Sequence, residues 1–173
     1  MASQKTKKIN KRASITDLIY IAMLLFAFAF FVLIGYKIMD TFNTEIVGGN
    51  IADTHGKNAS VNLLAHYPGA IDNSFLFLAI GLGVGAMVLA AMVRIHPIFL
   101  VLYLILLVFI IYISGILSNI YEEAASQATL STLANNLTNI SNIMTYLPLI
   151  VGVFGSILAI IMYKSWRDQT SYG

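Results

Sequence analysis

Residues 97–121 read PIFLVLYLILLVFIIYISGILSNIY, a run with no charged side chain. At ~1.5 Å per residue, a helix of this length crosses a ~30 Å hydrocarbon core. A backbone in lipid must satisfy its own hydrogen bonds, so such a run reads as a helix. Leu18–Tyr36, Ser74–Val93 and Tyr146–Tyr163 are uncharged runs of the same character. The chain has 173 residues, of which 58% are hydrophobic and 10% charged. A soluble domain carries roughly a quarter charged residues. The composition therefore describes a single integral membrane domain over residues 1–173. There is no cysteine, which excludes a disulfide framework, a thiolate metal site and a redox motif.

The expected fold is all-α: an integral membrane four-helix bundle with an additional outer amphipathic helix. Residues 1–14 form a basic inner tail with Lys5, Lys7, Lys8, Lys11 and Arg12. Span one covers 15–39; it is too long for a signal-peptide core and ends without a cleavage site, so it reads as an uncleaved signal-anchor. An outer polar loop follows over 40–73. Its turn-forming clusters are Gly48-Gly49-Asn50, Gly56-Lys57-Asn58 and Pro68-Gly69. Span two covers 74–93, and Arg94-Ile95-His96-Pro97 makes a tight turn into span three, 97–121. From 124 to 144 the chain is uncharged yet polar. Leu130, Leu133, Leu137, Ile140 and Met144 recur there at helical steps with Gln, Ser, Asn and Thr between them, an amphipathic pattern. Span four covers 146–163, and an inner tail, 164–173, carries Lys164, Trp166 and Arg167.

Lys and Arg placement sets the expected orientation. With the N-terminus inside, the inner segments hold the basic tail, Arg94, Lys164 and Arg167. The outer segments hold Asp40, Glu45, Asp53, Asp72, Glu122 and Glu123, with Lys37 and Lys57 as their only bases. Every loop then obeys the positive-inside rule. Both termini are expected on the inner side.

None of the four runs has an ionisable Asp, Glu, Lys, Arg or His in its interior. Pumps, proton relays and intramembrane enzymes place such groups there. The expected chain is therefore not an enzyme: no residue is assigned to catalysis, to a cofactor or to a metal. His55, His66 and His96 do not match zinc-ligand spacing and read as solvated. Asn58, Asn136 and Asn139 begin glycosylation sequons on the expected outer side. Gly81 and Gly85 form a GxxxG pair in span two, and Gly152 and Ser156 a small-xxx-small pair in span four. Small residues let membrane helices approach closely. The favoured reading packs span two against span four within one molecule; the alternative is a homo-oligomer contact or a permeation path. The apolar stripe Leu130, Leu133, Leu137 and Ile140 is expected to pack on the first outer loop or on a partner protein.

The basic tail, the four short spans and the Asn/Thr/Ser-rich lead-in to Tyr146-Leu-Pro-Leu-Ile-Val-Gly-Val-Phe-Gly-Ser156 together resemble the small multi-pass membrane proteins of tailless, lipid-containing icosahedral viruses. The resemblance implies a place in a membrane beneath a capsid and assigns no residue a role. The expected function is a structural or assembly membrane protein that tethers a bilayer to a protein layer or larger complex. Its partners would be the lipid bilayer and other membrane, capsid or surface-layer proteins, with no nucleic acid. A channel- or holin-like homo-oligomer and an accessory subunit of a membrane enzyme complex are the alternatives.

Overall fold

The uncharged runs form helices, and two of those helices extend far beyond them. The computed structural model describes residues 15–49, 52–92 and 97–170. They form α1 (Ile15–Gly48), α2 (Thr54–Met92), α3 (Pro97–Ser126), α4 (Ser131–Asn135), α5 (Thr138–Thr145) and α6 (Leu147–Thr170). No strand occurs among the described residues. The helices α1, α2, α3 and α6 are each long and apolar enough to cross a membrane, as a multi-pass membrane protein requires. The basic tail 1–14, most of the 94–97 turn and residues 171–173 lie outside the described residues.

The expected loop over 40–73 is instead largely helical. The helix α1 continues to Gly48, and α2 starts at Thr54 and runs through Pro68-Gly69 without ending. Asp53 starts α2: its Oδ1 accepts the Gly56 N–H at 2.8 Å, an N-cap in the third-residue register. Pro68 removes one donor, the one owed to the Leu64 carbonyl. Packing across the hairpin holds both sides of that gap. The rings of Tyr36 and Tyr67 lie 5.5 Å apart, those of Phe28 and Phe75 5.7 Å apart, and Ser60 Oγ donates to Asn43 Oδ1 at 2.8 Å. These pairs fix α1 and α2 as antiparallel neighbours. Local turn chemistry at Gly56 and Pro68 is overridden by this continuous contact.

The buried residues of α1 are Leu18, Ala22, Leu25, Ala29, Val32, Leu33 and Tyr36; those of α3 are Tyr103, Leu107, Ile110, Ser114, Ser118 and Tyr121. Both stripes advance by alternating three- and four-residue steps, the heptad spacing of helices that cross at a shallow left-handed angle. The most extensive packing is α3 on α6 and α1 on α2. The α6 register against α3 is set where Ile111 faces Gly152 and Pro148 faces Gly115. Helix α2 is the least enclosed: 11% of its apolar window is buried, against 33% for α1.

The expected continuous helix over 124–144 is broken. Helix α3 runs on to Ser126, a turn follows, and α4 and α5 are separated by Asn136 and Leu137. Leu137 sits at φ −107°, ψ 60°, outside the helical region. Pro148 then stands in the first turn of α6, where its missing N–H costs no bond. The expected inner tail is also helical as far as Thr170.

The close approaches in the helix contacts make a testable distinction. A Cβ built on Gly83 would lie 2.5 Å from Phe154 Cε1, and one on Gly155 would overlap Leu107. Nothing lies within 4 Å of a Cβ on Gly81 or Gly85. Gly83→Ile and Gly155→Ile should each destabilise by about 1–3 kcal/mol through overpacking. Gly81→Ile and Gly85→Ile in the monomer should stay within about 0.5 kcal/mol. Reversible unfolding in mixed micelles reads the difference.

Candidate functional site

Three of the long helices meet α4 and α5 at a polar junction, and Asp72 is its centre. Asp72 lies on α2 and is 6% exposed. Its Oδ2 accepts the Asn139 N–H at 2.9 Å, and its Oδ1 accepts the Ile140 N–H at 2.8 Å. These are free amides in the first turn of α5, whose own N-cap residue, Leu137, offers no side-chain acceptor. Every helix start leaves such amides unsatisfied. Here a carboxylate from another helix supplies the cap, and its negative charge sits favourably at the helix N-terminus.

The surrounding groups extend the tie. Asn139 Nδ2 donates to Asn73 Oδ1 at 3.3 Å. Ser141 Oγ donates to the Ala134 carbonyl at 3.0 Å, bridging the break between α4 and α5. A hydroxyl has one proton, so at the 3.4 Å contact between Tyr121 and Ser141 the tyrosine is the donor. Ser118 Oγ donates to the Thr145 carbonyl at 3.0 Å, and Asn136 Nδ2 donates to Tyr36 Oη at 3.2 Å. Deeper in the apolar region, Tyr103 Oη donates to the Gly155 carbonyl at 2.9 Å. The inward face of α3 thus carries hydroxyls that tie it to α5 and α6. Ser114 Oγ, on the same stripe, is buried with no hydrogen-bond partner.

The residues singled out from sequence fall differently. Gly81 and Gly85 face outward from α2 and do not meet α6. Gly83, between them, makes that contact through Phe154. Gly152 packs on α3 at Ile111, whereas Ser156 is exposed and donates to the Gly152 carbonyl at 2.7 Å. The pairing of span two with span four through Gly81, Gly85, Gly152 and Ser156 is therefore corrected to Gly83 with Phe154. An apolar helix offers no polar contrast to mark its inward side, so a GxxxG pair alone misassigns it. Leu133, Leu137 and Ile140 are buried inside the chain, and Leu130 is half-buried. They pack on the protein's own core, so this stripe is not an open partner-binding face.

The sequence held two signals for the junction. Asp72 stands two residues before the apolar run that begins at Ser74, and the heptad steps of Tyr103, Ser114, Ser118 and Tyr121 put hydroxyls on one face. Among the described residues, no group of three or more His, Asp or Glu side chains converges as a metal ligand set. The junction is a set of donor–acceptor pairs between side chains and backbone, suited to holding elements together. Comparison of the chain with protein-family models, with curated proteins and with solved structures found no match to any of them.

Removing the cap has a defined cost. Asp72→Ala leaves two inward amides without an acceptor, and buried unsatisfied groups cost about 1–3 kcal/mol each. Asp72→Asn keeps one acceptor oxygen and should lose less. Hydrogen exchange at the Asn139 and Ile140 amides should accelerate in the order Ala, then Asn, then wild type. Exchange unchanged in Asp72→Ala would show that the cap does not hold α5.

Proposed function

We propose that the chain is a non-enzymatic structural or assembly protein, a four-helix membrane bundle that holds a bilayer to a protein layer. Both termini lie on the inner side in this reading, as the Lys and Arg distribution requires. The hydrocarbon core needs about 20 residues of each helix. Counting outward from the basic inner ends, Asp72 falls near the outer boundary. The α1–α2 hairpin beyond Tyr36 then rises ~18 Å further over residues 37–48.

One observation carries the proposal. Among the described residues from 37 to 71, none is fully buried. Ile38 is 63% and Phe42 61% exposed, one helical turn apart on α1. Apolar side chains outside the bilayer on a stiff helical projection suit contact with protein. Acidic Glu45, Asp53, Glu122 and Glu123 are exposed on the same outer part of the chain. The short helices α4 and α5 act here as a buttress rather than as an outer amphipathic helix free to bind. The resemblance to viral membrane proteins makes a capsid shell the first layer to test.

A homo-oligomer of channel or holin type is the second reading. Gly81 and Gly85 favour it, because both are exposed on α2 with open space beside them, and small residues admit a second helix.

The orientation is tested by single-cysteine labelling in this cysteine-free chain. Lys57→Cys and Thr170→Cys should react from opposite faces of a sealed vesicle; reaction from one face overturns the topology. Function is tested by co-purification of the native assembly. Ile38→Asp with Phe42→Asp should abolish retention in the protein layer while reconstituted vesicles stay sealed to dye. Retained assembly together with rapid leakage by the wild type would reject the tether and favour the oligomeric channel.

A further inference from the structure

An apolar groove of about 230 Å³ runs between α1, α2 and α6. It exists because Ala22, Ala79, Gly83 and Ala86 are small where Leu76 and Phe154 stand as walls. Every lining side chain is aliphatic or aromatic, glycine apart. On α2 the lining extends from Leu76 to Ala86, a rise of about 15 Å along the helix axis. Those residues lie inside the apolar run that reads as span two, so the groove runs along the bilayer normal at hydrocarbon depth.

We infer that this groove holds a single acyl chain of a bilayer lipid. Water has no polar partner there, and apolar cavities of comparable size stay dry and admit apolar molecules. An unfilled groove forfeits dispersion contacts along its whole lining, and between membrane helices those contacts are a principal source of stability. A helix with its side chains is about 10 Å across, too broad for a groove of this volume, which argues against a second copy. A single extended chain matches both the length and the narrowness. Its lining holds no charged or polar side chain, so the groove selects the chain and sets no demand for an anionic headgroup.

The test uses the full-length protein in phosphatidylcholine vesicles. A small fraction of the lipid carries a diazirine at mid-chain, and a parallel sample carries it on a free fatty acid. Adducts after illumination are mapped by mass spectrometry. Per residue, labelling at the partly exposed Leu76, Ala79 and Ile150 should exceed that at Val101, Ile105 and Phe109, on the exposed face of α3, by about fivefold or more, because a held chain spends longer in contact. Ala79→Phe, which fills the groove, should bring the ratio to unity with α3 labelling unchanged. The two samples tell a phospholipid chain from a free fatty acid; either one enriched in the groove supports the inference. A ratio near unity for both in the unaltered protein overturns it whether or not the filled variant folds. Enrichment that persists in a folded Ala79→Phe also overturns it.

Discussion

Two amides at the start of a short helix need acceptors, and the chain supplies them from a helix almost seventy positions earlier. Asp72 takes the protons of Asn139 and Ile140. A buried carboxylate is costly unless its lone pairs are used, and a helix start away from water is costly unless capped. Each group removes the other's penalty. The bond also sets geometry, because α5 leads into α6 with only Tyr146 between them. Fixing α5 on α2 therefore fixes where α6 begins, and with it the level at which α6 meets α3. The exposed hairpin rests on the same foundation through the Asn136–Tyr36 bond at 3.2 Å.

Below the junction the chemistry changes. No hydrophobic force separates a leucine facing lipid from one facing another helix, so close fit and buried hydroxyl contacts decide the arrangement. Gly83 lets Phe154 in, Gly155 lets Leu107 in, and the Gly155 carbonyl accepts from Tyr103. A small residue at 155 thus serves twice: it admits the α3 side chain, and it brings its backbone within reach of a tyrosine. The hydroxyls on α3 are spaced along one heptad stripe, so α3 reads as the element on which α5 and α6 are hung.

The all-helical class and the four long apolar helices are legible in the sequence, because uncharged length is a strong signal when lipid forbids unsatisfied backbone. The inward faces were less so. In α1 the buried Ala22 and Ala29 sit among Leu, Ile, Phe and Val with no polar residue to mark the opposite side. Gly81 and Gly85 fit a known packing pattern, yet the helix turns Gly83 inward. The hairpin departs from its local turn signals for another reason. Gly56 and Pro68 are turn residues by local chemistry, and only the distant partners Asn43 and Tyr36 reveal that both lie within one helix. The spacing of Leu133, Leu137 and Ile140 marks an apolar stripe, but periodicity cannot tell a face that meets its own chain from one that meets another.

The sparse heptad stripes bear on how such a chain changes over generations. On α1, positions 29, 32, 33 and 36 are buried among protein side chains, while much of the remaining surface can look out on acyl chains. Leu, Ile, Val and Phe are near-synonyms there, and drift among them alters nothing the fold depends on. Relatives are better sought by the few positions whose chemistry has no synonym: an acid at 72, glycines at 83 and 155, a tyrosine at 103, each at its fixed spacing.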